Sequence, residues 1–433
     1  MGTLIQIAFR NLLQHRRRSL LLGGAIAMVT LLLVTALALL NGIQSTMLRN
    51  GTTLATGHVN VAGFYKLTAG TAAPMVTKYK PLIEVVKKST PGLNYVVVRG
   101  RGFGKLVSEQ ASMQSVLSGI DVKGEAGFKE IVQLASGKID DLGEPHTVLL
   151  FQAQADRLKV KVGDNVTISS ATFRGVNNTV DLRVAAIARD LGMLSSFTAY
   201  VHHDAIRDLY ELDGNTTGAI QVYLDDANQA DVVATKLRAD IEKAGFRVME
   251  PVPQPFWRKF DTVKREDWTG QKIDITTWTD ELMFMQYTLK TLQALIGIVV
   301  TVLLVIIVVG VMNTLWMSIR ERTREIGALR AIGMQRGRVL WMFLFEVAIL
   351  ALAATIAGAI GATIVCELIN VAAIPVPKAF QMFTMSDKWR LVAEIGTVVA
   401  SLVTITVVTT LGALFPAYRA SQLQPVKAMQ HAN

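Results

Sequence analysis

Four uninterrupted apolar runs decide what this chain can fold into. Leu20 to Leu40, Leu292 to Met317, Leu340 to Val365 and Leu391 to Phe415 are each long and apolar. Crossing about 30 Å of hydrocarbon takes about 20 such residues in a helix, so all four qualify as membrane spans. The third run holds one acid, Glu346, and the fourth holds Glu394 near its start. Charged residues make up 18% of the chain and hydrophobic ones 51%, against about a quarter and 45–50% in a soluble domain. The excess sits in the four runs; the chain between the first two reads as an ordinary soluble domain.

The net charge of +10 invites a nucleic-acid reading, but its distribution argues against one. Basic residues cluster beside the apolar runs, at Arg16, Arg17 and Arg18 and between Arg320 and Arg338, the pattern that orients membrane proteins. No zinc-finger spacing or RNA-binding aromatic signature accompanies them. The flanks rich in arginine, including Arg10, Arg419 and Lys427, are expected on the cytoplasmic side. The segment between spans one and two and the Leu368–Arg390 loop are then expected outside, with both termini inside. Ala36-Leu37-Ala38 fits a signal-peptidase site, yet the run is longer than the usual 7–15-residue core of a signal peptide. An uncleaved helix is the expectation, and no cysteine follows the run to carry a lipid. The lone cysteine, Cys366, lies within an apolar run. The outside domain must therefore fold on its core alone, which about 240 residues can do.

The expected fold class is an α-helical membrane protein with four transmembrane helices plus a large α+β extracytoplasmic (periplasmic) domain containing a small β-rich subdomain. The expected segments are a cytoplasmic amphipathic stretch 1–18, span one 19–40, the outside domain with its stalks 41–288, span two 289–317, a cytoplasmic segment 318–338, span three 339–367, an outside loop 368–390, span four 391–415 and a tail 416–433. Within 41–288, an α/β part covers about 57–125 and 213–255. Gly57–Val61, Leu93–Arg99, Gly104–Val107, Gln114–Ile120, Ala219–Leu224 and Phe246–Glu250 read as strands. Tyr79–Ser89 and Asn228–Ala244 have apolar residues at helical spacing. A β-rich insert at about 145–205 contains Val160–Ser169, Thr179–Ala188 and Thr198–His202. Gly42–Leu54 and Trp257–Tyr287 read as stalks. Trp257, Trp268 and Trp278 either anchor at headgroup level or pack into the domain.

Enzymatic motifs are missing. Gly100-Arg-Gly-Phe-Gly-Lys105 resembles a phosphate loop but breaks the Walker spacing and lacks the Ser/Thr; its glycines read as turns between strands. No other segment fits, so the chain is not expected to hydrolyse ATP. His202 and His203, beside Asp204, should point to opposite faces of a strand and not converge on a metal. No catalytic, cofactor-binding or metal site is expected. Glu346 is costly inside a span unless paired or facing a polar interior, with a nearby arginine such as Arg338 as a capping partner. Ala354, Gly358 and Ala362, and likewise Ala357 and Gly361, repeat every four residues, which lets membrane helices approach closely, within the subunit or across a dimer.

The segment Ser318-Ile-Arg-Glu-Arg-Thr-Arg-Glu-Ile-Gly-Ala-Leu-Arg-Ala-Ile-Gly-Met334 closely resembles the cytoplasmic motif of the MacB/FtsX/LolC–LolE permease superfamily, the mechanotransmission type of ABC transporter. Ile7-Ala-Phe-Arg-Asn-Leu-Leu13, Phe345-Glu346 and Pro416-Ala-Tyr-Arg-Ala-Ser-Gln-Leu-Gln-Pro-Val-Lys-Ala428 resemble its N-terminal helix, third-span start and C-terminal signature. Read alone, Ile326, Leu329 and Ile332 form an apolar stripe on a short charged helix, fit to lie at a membrane surface and dock into a partner's groove. The resemblance implies that this is a coupling helix seated in an ATPase, with Arg322, Glu325, Ile326, Gly327, Leu329, Arg330 and Gly333 at the contact. It also implies a cytoplasmic LolD/MacB-like ABC ATPase that binds the ATP and magnesium, and a second permease copy or homologue. A periplasmic carrier or adaptor and a bacterial inner-membrane location are further implications. Length, lack of an ATPase domain and the Thr56-Gly-His-Val-Asn60 stretch make the chain look most like the LolC/LolE branch, which releases lipoproteins. A MacB-like exporter of peptides, small molecules or lipids and an FtsX-like relay to a cell-wall hydrolase are the alternatives.

Overall fold

The computed structural model describes residues 2–14, 16–68, 70–172, 174–377, 380–381 and 384–423. The helices are α1 (Gly2–Gln14), α2 (Arg16–Gly51), α3 (Tyr79–Ser89), α4 (Ala126–Ile131), α5 (Gln152–Leu158), α6 (Gly192–Phe197), α7 (His203–Tyr210), α8 (Ala230–Lys243), α9 (Phe256–Arg265), α10 (Trp278–Glu281), α11 (Met283–Glu321), α12 (Thr323–Ala331) and α13 (Arg336–Ala372). A fourth long helix, Ile395–Gly412, and a short one, Leu414–Ser421, follow. The strands are β1 (Val59–Lys66), β2 (Leu93–Val107), β3 (Ser112–Ile120), β4 (Leu134–Gly137), β5 (Thr147–Phe151), β6 (Asn165–Ala171), β7 (Asn177–Ala188), β8 (Thr198–His202), β9 (Ala219–Leu224) and β10 (Gly270–Thr277). The chain divides into two compact units, one of Met1–Gln44, Leu289–Pro375 and Lys388–Asn433, the other of Ser45–Thr288 and Val376–Asp387.

Four described helices, each with its apolar stretch in the first unit, are long and apolar enough to cross a membrane: Arg16–Thr56, Met283–Glu321, Arg336–Ala372 and Ile395–Ser421. The first three extend past both ends of the apolar runs that define them, whereas the fourth begins at Ile395, four residues into its run, with Glu394 as an extended N-cap. Their shared core includes Ile26 and Leu33 of α2, Val311 and Leu315 of α11, Met342 and Phe343 of α13, and Ile405. α13 is the central helix. Its small residues Ala354, Gly358 and Ala362 are buried, and a Cβ at Gly358 would lie 2.4 Å from the Ala27 carbonyl oxygen and 2.7 Å from Thr30 Cβ. This small-residue row therefore seats α13 on α2 inside one subunit, by close backbone approach. Ala357, of the other row, is exposed.

In the second unit the ten described strands follow the order β10-β1-β9-β2-β3-β8-β5-β7-β4, with β6 pairing both β2 and β7. β3–β8 and β5–β7 are parallel and the remaining pairs antiparallel. The pairings β2–β3–β8–β5–β7–β6–β2 close a ring, so six strands form a small barrel around Leu106, Leu117, Val166, Ile168, Leu182 and Val201. β10, β1, β9 and the first half of β2 form an open sheet covered by α3 and α8, with Leu82, Val86, Leu237 and Ile241 buried on it. β2 belongs to both, pairing β9 through Leu93–Arg99 and β3 and β6 beyond.

Three local expectations are corrected. Leu93–Arg99 and Gly104–Val107 are one strand, and the glycines between them are not turns. A Cβ at Gly100 would press on Ile206, and one at Gly102 would come 2.6 Å from the Tyr210 ring; these glycines let α7 lie close on the strand. Trp257–Tyr287 is no stalk, since it contains α9 and β10, and β10 pairs β1 over eight residues. Trp268 is buried there, and the indole of Trp278 donates to the Ala227 carbonyl, so both pack into the domain, while Trp257 is exposed. Phe246–Glu250 holds only a bridge from Val248 to Ile273.

Candidate functional site at the Arg322 corner

α11 does not run smoothly into the next element. It ends at Glu321, Arg322 takes a non-helical ψ of 16°, and α12 starts at Thr323. The guanidinium of Arg322 turns inward. Its Nε donates to Glu325 Oε2 at 3.0 Å, one turn along α12, and its Nη1 donates to Glu346 Oε2 at 3.5 Å on α13. The side chains of Arg322 and Glu346 are only 10% and 6% exposed, whereas Glu325 is open to solvent. A carboxylate within an apolar helix is tolerated where a cation meets it. Arg322 is that cation, from the junction between α11 and α12 rather than from the start of α13 where Arg338 lies exposed.

The other end of α12 is equally defined. Gly333 has φ of 101°, Met334 N–H donates to the Leu329 carbonyl and Gly333 N–H to the Arg330 carbonyl. This is a Schellman turn with glycine in the left-handed position it favours. Arg330 adds a donation to the Met334 carbonyl at 3.3 Å. α13 then begins at Arg336, whose guanidinium reaches Gln422 Oε1 at 2.9 Å, and Arg18 pairs with Glu321 at 3.3 Å. Pro416, Ala417, Ala420 and Ser421 are buried; residues 424–428 of the C-terminal signature lie outside the described residues.

The sequence stripe of Ile326, Leu329 and Ile332 splits in space. Ile326 is buried in the core with Val339, Met342 and Phe343, and Gly327 is buried too. Leu329 and Arg330 are half-buried, while Ile332 is 86% exposed. The face left open on α12 carries Arg324, Glu325, Ala328 and Ala331, followed by Ile332 and Gly333. Of the small residues, Ala354 and Gly358 are buried and Gly361 is half-buried, its Cβ position 3.1 Å from Leu31.

A second constellation, in the other unit, was not visible in the sequence. Past α2 the chain makes a π turn over Thr52–Thr56, closed by Gly57 N–H donating to Thr52 O at 2.8 Å, and the carbonyls of a last turn need partners from outside the helix. Side chains reach four in a row: Tyr223 Oη donates to Thr52 O at 3.1 Å, Arg99 Nη2 to Thr53 O at 2.8 Å, Arg99 Nη1 to Leu54 O, joined by Tyr200 Oη at 2.9 Å, and Gln221 Nε2 to Ala55 O at 2.6 Å. Arg99 is 1% exposed and also pairs with buried Glu125. Burial pushes the phenols of Tyr200 and Tyr223 up, against the opposing Arg99 charge, so both stay protonated donors. The only sequence signal was an arginine closing the apolar run Tyr95-Val-Val-Val-Arg99.

Residues 297–425 match the FtsX-like permease C-terminal family. A macrolide export ATP-binding/permease protein MacB of Burkholderia thailandensis is 30% identical over 145 residues, covering 34% of this chain and 20% of its own. A MacB of Bordetella avium gives the same identity and coverage. The chain thus spans about a fifth of the length of these curated relatives. Among solved structures, the extracellular domain of the noncanonic ABC-type transporter YknZ from Gram-positive bacteria matches at 12% identity over 49% of this chain and 98% of that domain, TM-score 0.28. The periplasmic region of MacB from Actinobacillus actinomycetemcomitans matches at 18% over 44% and 85%, TM-score 0.30.

Proposed function

We propose that this multi-pass membrane protein is the permease subunit of an ABC transporter, and that α12 receives the stroke of a cytoplasmic ATPase. The carrying observation is the buried Arg322–Glu346 contact. It ties the short helix to the central helix of the membrane unit, so a push on α12 moves α13 instead of bending a loose surface loop. The open face of Arg324, Glu325, Ile332 and Gly333 is what a partner would meet. Ile326 and Gly327, being buried, set the height of that face, and Arg322 sets its angle. The ATPase, which binds the ATP and magnesium, and a second permease copy complete the machine in this reading. The polar arginine-rich ends lie on the cytoplasmic side, and the Ser45–Thr288 unit lies outside.

In the second unit, the side-chain cage around Thr52–Ala55 makes the end of α2 continuous with the folded domain. Motion of that helix end is therefore transmitted as motion of the sheet and barrel rather than lost in a flexible joint. Lipoprotein release from the inner membrane, handed to a periplasmic carrier, is the reading we favour, on the likeness of the Thr56-Gly-His-Val-Asn60 stretch to the LolC/LolE branch. The names of the MacB relatives support export of small molecules as the second reading.

Glu325→Lys, on the exposed side of α12, reverses the charge offered to the partner and gives up the Arg322 Nε contact, while the buried Arg322–Glu346 contact remains. We expect it to retain folding but lose at least tenfold of the ATPase stimulation that the reconstituted pair shows. Affinity purification in mild detergent, with mass spectrometry, then identifies what travels with the wild type and not with the variant. If the variant copurifies with the same ATPase and works normally, α12 is not the coupling element.

A further inference from the structure

His202, His203 and Asp204 lie where β8 gives way to α7, and the turn between the two elements defeats the alternation of a strand. His202 is the last strand residue and His203 the first helical one. Their rings sit 4.5 Å apart instead of on opposite faces, which corrects the expectation drawn from strand geometry. Asp204 Oδ2 is 3.5 Å from His202 Nδ1, and its Oδ1 is 3.2 Å from His203 Nε2. One donor atom from each residue falls within 4.8 Å of the others.

These spacings have a meaning for metal chemistry. Ligand atoms about 2.0–2.1 Å from a tetrahedral zinc ion are about 3.4 Å from one another. Each imidazole already approaches that value to one oxygen of Asp204, His202 to Oδ2 and His203 to Oδ1, and the set with one atom per residue lies within 4.8 Å, so a small shift of the carboxylate closes it around an ion. We propose that His202, His203 and Asp204 form a site for a zinc-type divalent transition-metal ion, with two imidazole nitrogens and one carboxylate oxygen from the protein and water in the remaining position. Two imidazoles with a carboxylate suit such an ion, whereas calcium and magnesium take oxygen donors.

The surroundings hold the donors in place. α7 is pressed on the barrel strands, because a Cβ at Gly119 would be 2.8 Å from Ile206 and 3.3 Å from the His203 Cα. A site on such rigid elements loses little order when it is filled. His203, Asp121 and Arg207 line a cavity of about 160 Å³ beside the cluster. Arg207 Nη1, 3.3 Å from Asp204 Oδ1, remains a hydrogen-bond donor to the coordinating carboxylate, the outer support such ligands use. His146 pairs with Asp208 at 3.4 Å on the same helix and is not needed as a ligand.

The test uses the full chain in detergent, without a polyhistidine tag, dialysed against a chelator and then titrated with zinc by calorimetry. One zinc ion per chain is expected. His203→Ala and Asp204→Asn should each weaken binding more than tenfold, with circular dichroism of the metal-free protein unchanged. Cobalt as a replacement probe should give the intense visible bands of four- or five-coordinate geometry. No zinc uptake by the wild type, or equal affinity in both variants, would overturn the site. Should a variant fail to fold, the cobalt spectrum of the wild type decides alone, and a weak six-coordinate aquo spectrum would reject the proposal.

Discussion

At the scale of single residues, the Arg322–Glu346 contact separates stability from coupling. Removing one partner of a buried ion pair leaves an uncompensated charge and costs about 3–5 kcal/mol. Removing both in favour of apolar side chains is often neutral or better. Arg322→Met alone should therefore lower the thermal unfolding midpoint in detergent. Arg322→Met with Glu346→Leu should recover it while still losing ATPase stimulation, because α12 is no longer tied to α13 by this contact. Recovery of both stability and stimulation in the double variant would mean that the pair serves folding only. The sequence pointed to Glu346 by its cost, but its partner required the turn at Arg322. That turn brings residues 24 positions apart together, and no helical spacing forecasts it. Arg99 was harder still. Its ligands Thr53 and Leu54 are carbonyls, which carry no side-chain signature at all.

At the scale of elements, glycines divide into those that turn the chain and those that let elements touch. Gly333 is of the first kind, with its positive φ ending α12. Gly358 is of the second, and its place in a four-residue repeat was legible because small residues at that spacing have one common use in membranes. Gly100 and Gly102 were misread, because a glycine inside a strand looks the same in sequence as one in a turn. Only the arrival of Ile206 and Tyr210 from α7 distinguishes them. The helix Tyr79–Ser89 was legible to the residue, since its apolar face needs only local periodicity. From this distinction we predict opposite phenotypes. Gly333→Ala strains a left-handed residue, which costs about 1–2 kcal/mol, and should loosen α12 while the four long helices stay packed. Gly358→Leu places atoms where the Ala27 carbonyl lies, so it should part α13 from α2. Cysteine cross-linking between Thr30→Cys and Ala362→Cys, in a Cys366→Ala background, should be unchanged by the first substitution and lost with the second. Retained cross-linking in Gly358→Leu would show that the small row does not seat the two helices.

At the scale of the whole molecule, the proposed machine requires that α12 and the Ser45–Thr288 unit occupy opposite sides of the bilayer. The division into a membrane-spanning unit and a second α+β unit was legible from the apolar runs alone, because hydrocarbon imposes its length on any helix that crosses it. The closed ring of strands was not, because it depends on β2 pairing with β6 across about sixty residues of chain, a partnership that alternation within either strand leaves open. Sidedness rests on arginine placement, which can be tested directly. In a Cys366→Ala background, single cysteines at Arg324, exposed on α12, and at Glu109, exposed between β2 and β3, report each side. A membrane-impermeant maleimide applied to intact spheroplasts should label Glu109→Cys at once and Arg324→Cys only after permeabilisation. Labelling of both without permeabilisation would remove the barrier between motor and domain. No stroke delivered at α12 would then need to cross a membrane, and the coupling role of the Arg322 corner would fall with it.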